Sequence, residues 1–141
     1  MTRIKIWFRF ESHDGYPPFE EEGLWATPVD DDTARIDNVP FFARGVAQND
    51  IVQFATLDDG RHFAVRRVET GGHCAIRVLP VASGPLGPSA EAVFAKFVPF
   101  GIGAESYDKE FPLVALDVQP AVDLPRLRAL LDQGVPRTTC L

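Results

Sequence analysis

Strict alternation opens the chain. From Ile4 to Phe10 the residues Ile4, Ile6, Phe8 and Phe10 fall on one side and Lys5, Trp7 and Arg9 on the other, which predicts a strand with one face on a core. Phe19 to Val29 predicts a second strand, in which Leu24 and Trp25 point to opposite faces. Asp30-Asp31-Asp32 then forms a turn into a short third strand, Thr33 to Asp37. Further strands are expected at Ile51 to Leu57, His62 to Glu69 and His73 to Val81, joined by Asp58-Asp59-Gly60-Arg61 and Thr70-Gly71-Gly72. Both connections carry hairpin chemistry.

The period changes after the loop Ala82 to Pro88. Ser89 is placed to cap a short apolar helix ending near Pro99 and Gly101, and Asp123 to cap a second one through Gln133, with Leu124, Leu127, Leu130 and Leu131 on one side. Between them Phe111 to Val118 is nearly continuously apolar, as in a strand covered on both faces. The expected fold is α+β: an antiparallel, strongly bent or barrel-like meander, followed by a strand-helix-strand-helix half with two helices on one sheet. The strands His73 to Val81 and Phe111 to Val118 would pair in parallel, on a sheet that continues the meander. One domain spans 1–141, mainly β over 1–81 and β/α over 82–141.

The segment joining the two ribbons of the meander, Ile36 to Phe54, reads as a scaffold hinge. Pro40 stops ladder pairing, Phe41 and Phe42 supply apolar bulk, and Gly45 and Asn49 tolerate turn angles closed to most residues.

Composition narrows the classes. The chain has 141 residues, 45% of them hydrophobic, enough for a core without metal or disulfides, and two cysteines, Cys74 and Cys140, in no metal spacing. With no long apolar run and no signal-type N-terminus, a cytoplasmic protein without membrane attachment is expected. The net charge of -6 opposes nucleic-acid binding. Its distribution is uneven: eight acids and no Lys or Arg lie between Glu11 and Asp32, whereas four arginines and two histidines lie between Arg61 and Arg77.

Two constellations could carry function. Glu20, Glu21, Glu22, Asp30, Asp31 and Asp32 could steer a basic protein partner toward Trp25, which is either a core tryptophan or the aromatic anchor of that surface. Alternatively, if Glu69 opposes His73 across the Gly-Gly turn, Arg67 and Arg77 share a face with His73. With Asn38 and Asp50 they could then hold an anion or small molecule. Internal charge pairing explains the same residues without a ligand. No nucleophile elbow, phosphate loop, dinucleotide fingerprint or metal-ligand set is present, so no catalytic residue, cofactor or metal is expected, and the reading favours a binding protein over an enzyme. Self-association through a sheet edge or the phenylalanine surface stays open.

The stretches YPPFEEEGLWA (Tyr16 to Ala26), DNVPFFARGVAQNDIV (Asp37 to Val52) and GGHCAIRV (Gly71 to Val78) together resemble a bacterial family, domain of unknown function 4265. The matching positions are Trp25, Asn38, Pro40, Phe41, Phe42, Asp50, Gly72, His73, Arg77 and the closing Cys140-Leu141. The chain departs from the family pattern at Asn49-Asp50, at Cys74-Ala75, where hydroxyl residues are expected, and in a shorter, less acidic tail. The resemblance implies a bacterial cytoplasmic protein and brings no activity, cofactor or catalytic residue. The leading expectation is a non-enzymatic cytosolic binding protein, of which immunity proteins covering a basic toxin are one analogue.

Overall fold

In the computed structural model the described residues are 2–11, 13–15, 20–80, 89–108 and 112–131. The expected loop 82–88 with Val81, residues 16–19 with the expected start of the second strand at Phe19, Phe111, the side chains of Leu130 and Leu131, and the end of the last helix with Cys140 lie outside them. The chain forms two compact units, Met1–His73 and Cys74–Leu141.

The first unit is a closed barrel of β1 (Ile4–Arg9), β2 (Glu21–Pro28), β3 (Thr33–Ile36), β4 (Ile51–Thr56) and β5 (His62–Glu69). Successive strands pair antiparallel, and β5 closes onto β1 in parallel through Ile6↔His62 and Trp7↔Phe63. The alternation of β1 is realised: Ile6 is fully buried among Leu24, Ala26, Ala34, Ile36, Val52 and Phe54, with Ile4, Phe8 and Phe10 packed against that cluster. Burial of this kind contributes roughly 1.5–3 kcal/mol for each large aliphatic side chain. The Asp30–Asp32 turn closes β2 onto β3 through hydrogen bonds from the Val29 and Asp30 N–H groups to the Thr33 carbonyl.

The hinge leaves the barrel at Ile36 and returns at Asn49 and Asp50, whose N–H and C=O pair with the Ile36 backbone. Both predicted turn positions are left-handed, Gly45 at φ 75° and Asn49 at φ 76°. Val39, Phe42, Ala43, Val46 and Ala47 are buried, so the hinge adds core rather than spanning it as a bare connection.

The second unit is a three-stranded antiparallel sheet in the order β6-β8-β7, where β6 is Cys74–Val78, β7 Gly103–Ser106 and β8 Val114–Val118. Helices α1 (Ala90–Phe97) and α2 (Leu124–Leu131) share its core: Val93, Phe97 and Leu127 pack with Ile76, Val78, Ile102, Val114, Leu116 and Val118. Both predicted caps form, Ser89 Oγ accepting from the Ala92 N–H and Asp123 Oδ1 from the Arg126 N–H. Leu124, expected on the apolar side of α2, is exposed.

Two pairings differ from expectation. The β5–β6 hairpin does not form: β5 pairs with β4 along its length and with β1 at His62 and Phe63, and Cys74 to Val78 pair instead with Val118 to Val114 of β8. The β6–β8 pair is antiparallel, because α1 carries the chain to β7, a short strand the sequence reading misses. A hairpin then returns β8 into the gap between β6 and β7. The second sheet is therefore separate from the barrel meander.

Candidate functional site

The register of the barrel places residues far apart in sequence side by side on its outer surface. Lys5 faces Trp25, Trp7 faces Gly23 and Phe63, and Arg9 faces Glu21. From these positions cations and rings alternate. The Arg3 guanidinium stands 5.6 Å from the Trp25 ring centroid, and the Lys5 ammonium 5.1 Å from Trp25 and 5.5 Å from Trp7. Arg61 lies 5.4 Å from Trp7 and 4.8 Å from Phe63, and Arg9 stands 4.4 Å from Phe63. Contacts of this type contribute about 0.5–1 kcal/mol each at exposed sites, and here they favour one orientation of each of the three rings.

Gly23 makes the arrangement fit. A Cβ there would meet Lys5 Cε at 2.8 Å, so the missing side chain is the space in which the lysine stem crosses β2 between the two indoles. Trp25 is 43% exposed while its neighbour Leu24 is 3% exposed, which removes the core alternative for this tryptophan. Val65, on the same strand as Phe63, is also exposed.

The acids divide by what their carboxylates accept. Glu21 takes Arg61 Nη1 at 3.2 Å and Arg9 Nε at 3.5 Å, and Arg61 also reaches Asp59 Oδ2 at 3.2 Å. The hydrogen bonds to Glu21 and then to Asp59 hold the Arg61 pKa above its ordinary value, and the Arg61 backbone N–H lowers that of Asp59. Asp37 pairs with Arg3 at 3.4 Å. The cations of the ladder other than Lys5 are thus neutralised locally. Beside them Arg9, Phe10, Glu11, Glu20, Glu21 and Arg61 line an open hollow of about 790 Å³.

Glu22, grouped above with the acids that could steer a partner, is turned to backbone. Its carboxylate accepts the backbone N–H groups of Phe41, at 2.7 Å, of Phe42, at 3.0 Å, and of Ala43, at 2.9 Å, pinning the hinge to β2. Glu20 and Asp31 are exposed, Asp30 accepts from the Thr33 hydroxyl at 3.4 Å, and Asp32 accepts from the Gln53 amide at 3.1 Å. Trp25, expected to stand among acids, stands among Arg3 and Lys5, because β1 supplies its neighbours.

The second expected cluster does not assemble as drawn. Asp50 is fully buried and accepts from the N–H groups of Ala47, at 2.9 Å, and Gly71, at 2.8 Å, with Arg67 Nη1 3.5 Å away. Asn38 Oδ1 accepts from the Trp25 N–H at 2.8 Å. Arg77 lies on β6 opposite Ala115 of β8, so the hairpin face on which Arg67, His73 and Arg77 would stand together does not form, and His73 is the last residue of the first unit. Sequence reasoning missed Arg3, Lys5, Trp7, Arg9, Arg61 and Phe63 as a set. The signal was the alternation of cation and aromatic on the polar side of β1.

In the second unit Arg77, Ala115 and Glu105 form one row across the sheet, with Asp117 on the same face beside them. Asp117 is buried, and the Glu105 carboxyl is pushed up first by burial and then by the Asp117 charge. Among the described residues no group of three His, Cys, Asp or Glu could hold a metal ion, and no helix is long and apolar enough to cross a membrane.

Comparison with known proteins gives a fold and a family. A crystal structure of a hypothetical protein from Neisseria gonorrhoeae is similar with a TM-score of 0.73 at 17% identity, covering 94% of this chain and 87% of the other, which identifies a shared fold. No curated protein matches the sequence. The model of the family described as domain of unknown function (DUF4265) matches residues 22–139, and the chain belongs to that family.

Proposed function

We propose that this is a non-enzymatic cytosolic binding protein that docks a basic protein partner through the outer face of its barrel. The observation that carries the reading is Trp25: a large ring held in the open, 43% exposed, and favoured in one orientation by Arg3 and Lys5. Tryptophan and arginine dominate the energetic centres of protein interfaces, and a ring already biased toward one orientation loses less entropy on docking. Trp7 and Phe63 extend the patch, and the pairing of Arg3, Arg9 and Arg61 with carboxylates leaves it close to neutral. Glu20, Asp30, Asp31 and Asp32 keep exposed carboxylates on the same unit, and with the net charge of -6 they favour a basic partner through long-range steering. An immunity-type role, covering a basic surface of a toxin, is the form of this reading that the charge supports.

The test is capture of a partner at low and moderate salt by wild type, by Trp25→Ala and by a variant with lysine at Asp30, Asp31 and Asp32. Trp25→Ala is expected to weaken the captured complex by about 2 kcal/mol, and the charge reversal to slow association and flatten its salt dependence. A stoichiometric partner that binds all three proteins alike overturns the proposal.

A further inference from the structure

We propose a second, separate binding site in the C-terminal unit: a pocket for a small monocarboxylic acid with an apolar body. Helix α1 runs into a 3-10 turn, Val98–Phe100, stopped by Gly101 at φ 79°. Between that turn and the start of α2 lies a pocket of about 440 Å³. Phe100, Ile102, Val122 and Leu127 give it apolar walls, and Asp123 and Arg126 stand at its polar end. The volume and this makeup, mostly apolar with few polar groups, are those of small-molecule sites.

The charged group decides the ligand class. The Arg126 guanidinium stacks 4.7 Å from the Phe100 ring centroid, and no carboxylate lies within ion-pair distance of it among the described residues. On the barrel, by contrast, Arg9 and Arg61 are spent on Glu21. The guanidinium is planar by its own delocalisation, and its fork of N–H donors matches a carboxylate through two parallel hydrogen bonds while the Phe100 ring positions it at the pocket. The start of α2 is not the anion-binding element, because Asp123 already accepts from the Arg126 N–H at 3.2 Å and Pro125 has no N–H. The Asp123 carboxylate at the rim also sets an upper limit on ligand charge: a dianion such as phosphate meets like charge there, while a monocarboxylate reaches Arg126 with its apolar body toward Phe100 and Val122.

The experiment titrates the full chain, labelled with nitrogen-15, with phenylacetate, hexanoate, their amides phenylacetamide and hexanamide, and inorganic phosphate. Both acids are expected to shift the amide resonances of residues 100–102, 122–124, 126 and 127 and to bind about tenfold more tightly than their amides. Arg126→Met keeps an apolar stem over Phe100 and is expected to remove the preference for acid over amide while leaving those resonances otherwise in place. Arg126→Lys, a charge without the fork, falls between. The proposal is overturned if neither acid perturbs these resonances at millimolar concentration or if acid and amide bind equally. It is overturned as well if phosphate binds as tightly as phenylacetate, or if Arg126→Met retains the preference.

Discussion

Glu21 and Glu22 are adjacent in β2 and do opposite work. Glu21 points out into the ladder of cations and rings, where Arg9 and Arg61 share its charge in the presence of water. Glu22 points to the hinge and satisfies three consecutive backbone N–H groups. Asp50 repeats the second pattern from within the hinge, fully buried, holding Ala47 and Gly71. The outer face is thus organised by side chains acting on side chains, and the hinge by carboxylates acting on backbone. The first arrangement is replaceable residue by residue. The second is not, because one lost carboxylate takes its acceptor oxygens from several backbone donors at once.

Four substitutions test that contrast, beginning with the largest effect. Asp50→Ala strands two backbone donors, and is expected to lower unfolding free energy in urea by about 3 kcal/mol; a cost below about 1 kcal/mol would mean water replaces the carboxylate freely. Glu22→Ala should cost about 2 kcal/mol and Glu21→Ala, screened at the surface, within about 0.5 kcal/mol of zero. Equal losses would erase the distinction between the two faces of β2. Gly23→Ala pushes the flexible end of Lys5 from its slot, with an expected stability change under about 1 kcal/mol but a clear change in near-ultraviolet circular dichroism from Trp7 and Trp25.

The smallest effect belongs to the second unit. The folded state holds the Glu105 proton more tightly than the unfolded chain, so the charged carboxylate costs stability at neutral pH, and that cost fades as pH falls through the raised pKa. Glu105→Gln is therefore expected to melt slightly above wild type near pH 7, with the difference gone by about pH 4 in a pH series of thermal scans. A difference that grows on acidification would reverse the sign and dismiss burial as its cause.

Much of the fold was legible because periodicity is local. The two faces of β1, the turn at Asp30–Asp32, the left-handed Gly45 and Asn49, and both helix caps follow from residues within a few positions of one another. Partner choice is not local. The Gly71-Gly72 pair predicts a hairpin, yet the residues that follow it pair with β8, a strand far along the chain, and no local pattern announces that pairing. Gly71 serves a different end: a Cβ there would collide with the Asn49 carbonyl oxygen, so the glycine permits close approach of β5's end to the hinge. The four residues of β7 include a glycine and a glutamate and carry no strand pattern. The site was half legible. Trp25 opposite Leu24 could be read, but the cations that frame it come from a strand whose register no spacing reveals.

The barrel closes where its first strand meets its last, along a seam of two residue pairs, Ile6 with His62 and Trp7 with Phe63. During synthesis β1 and β2 leave the ribosome together, while the strand that completes the seam follows some forty residues after β2 begins. Until then β1 presents an unpaired edge, the geometry most prone to join another nascent chain. Lys5 and Arg9, which later orient the rings, are the residues that guard that edge in the interval, since repulsion between like-charged edges opposes strand addition. A chain with both replaced by neutral residues would reach the same closed barrel in isolation and lose more of itself to aggregates when made at high concentration.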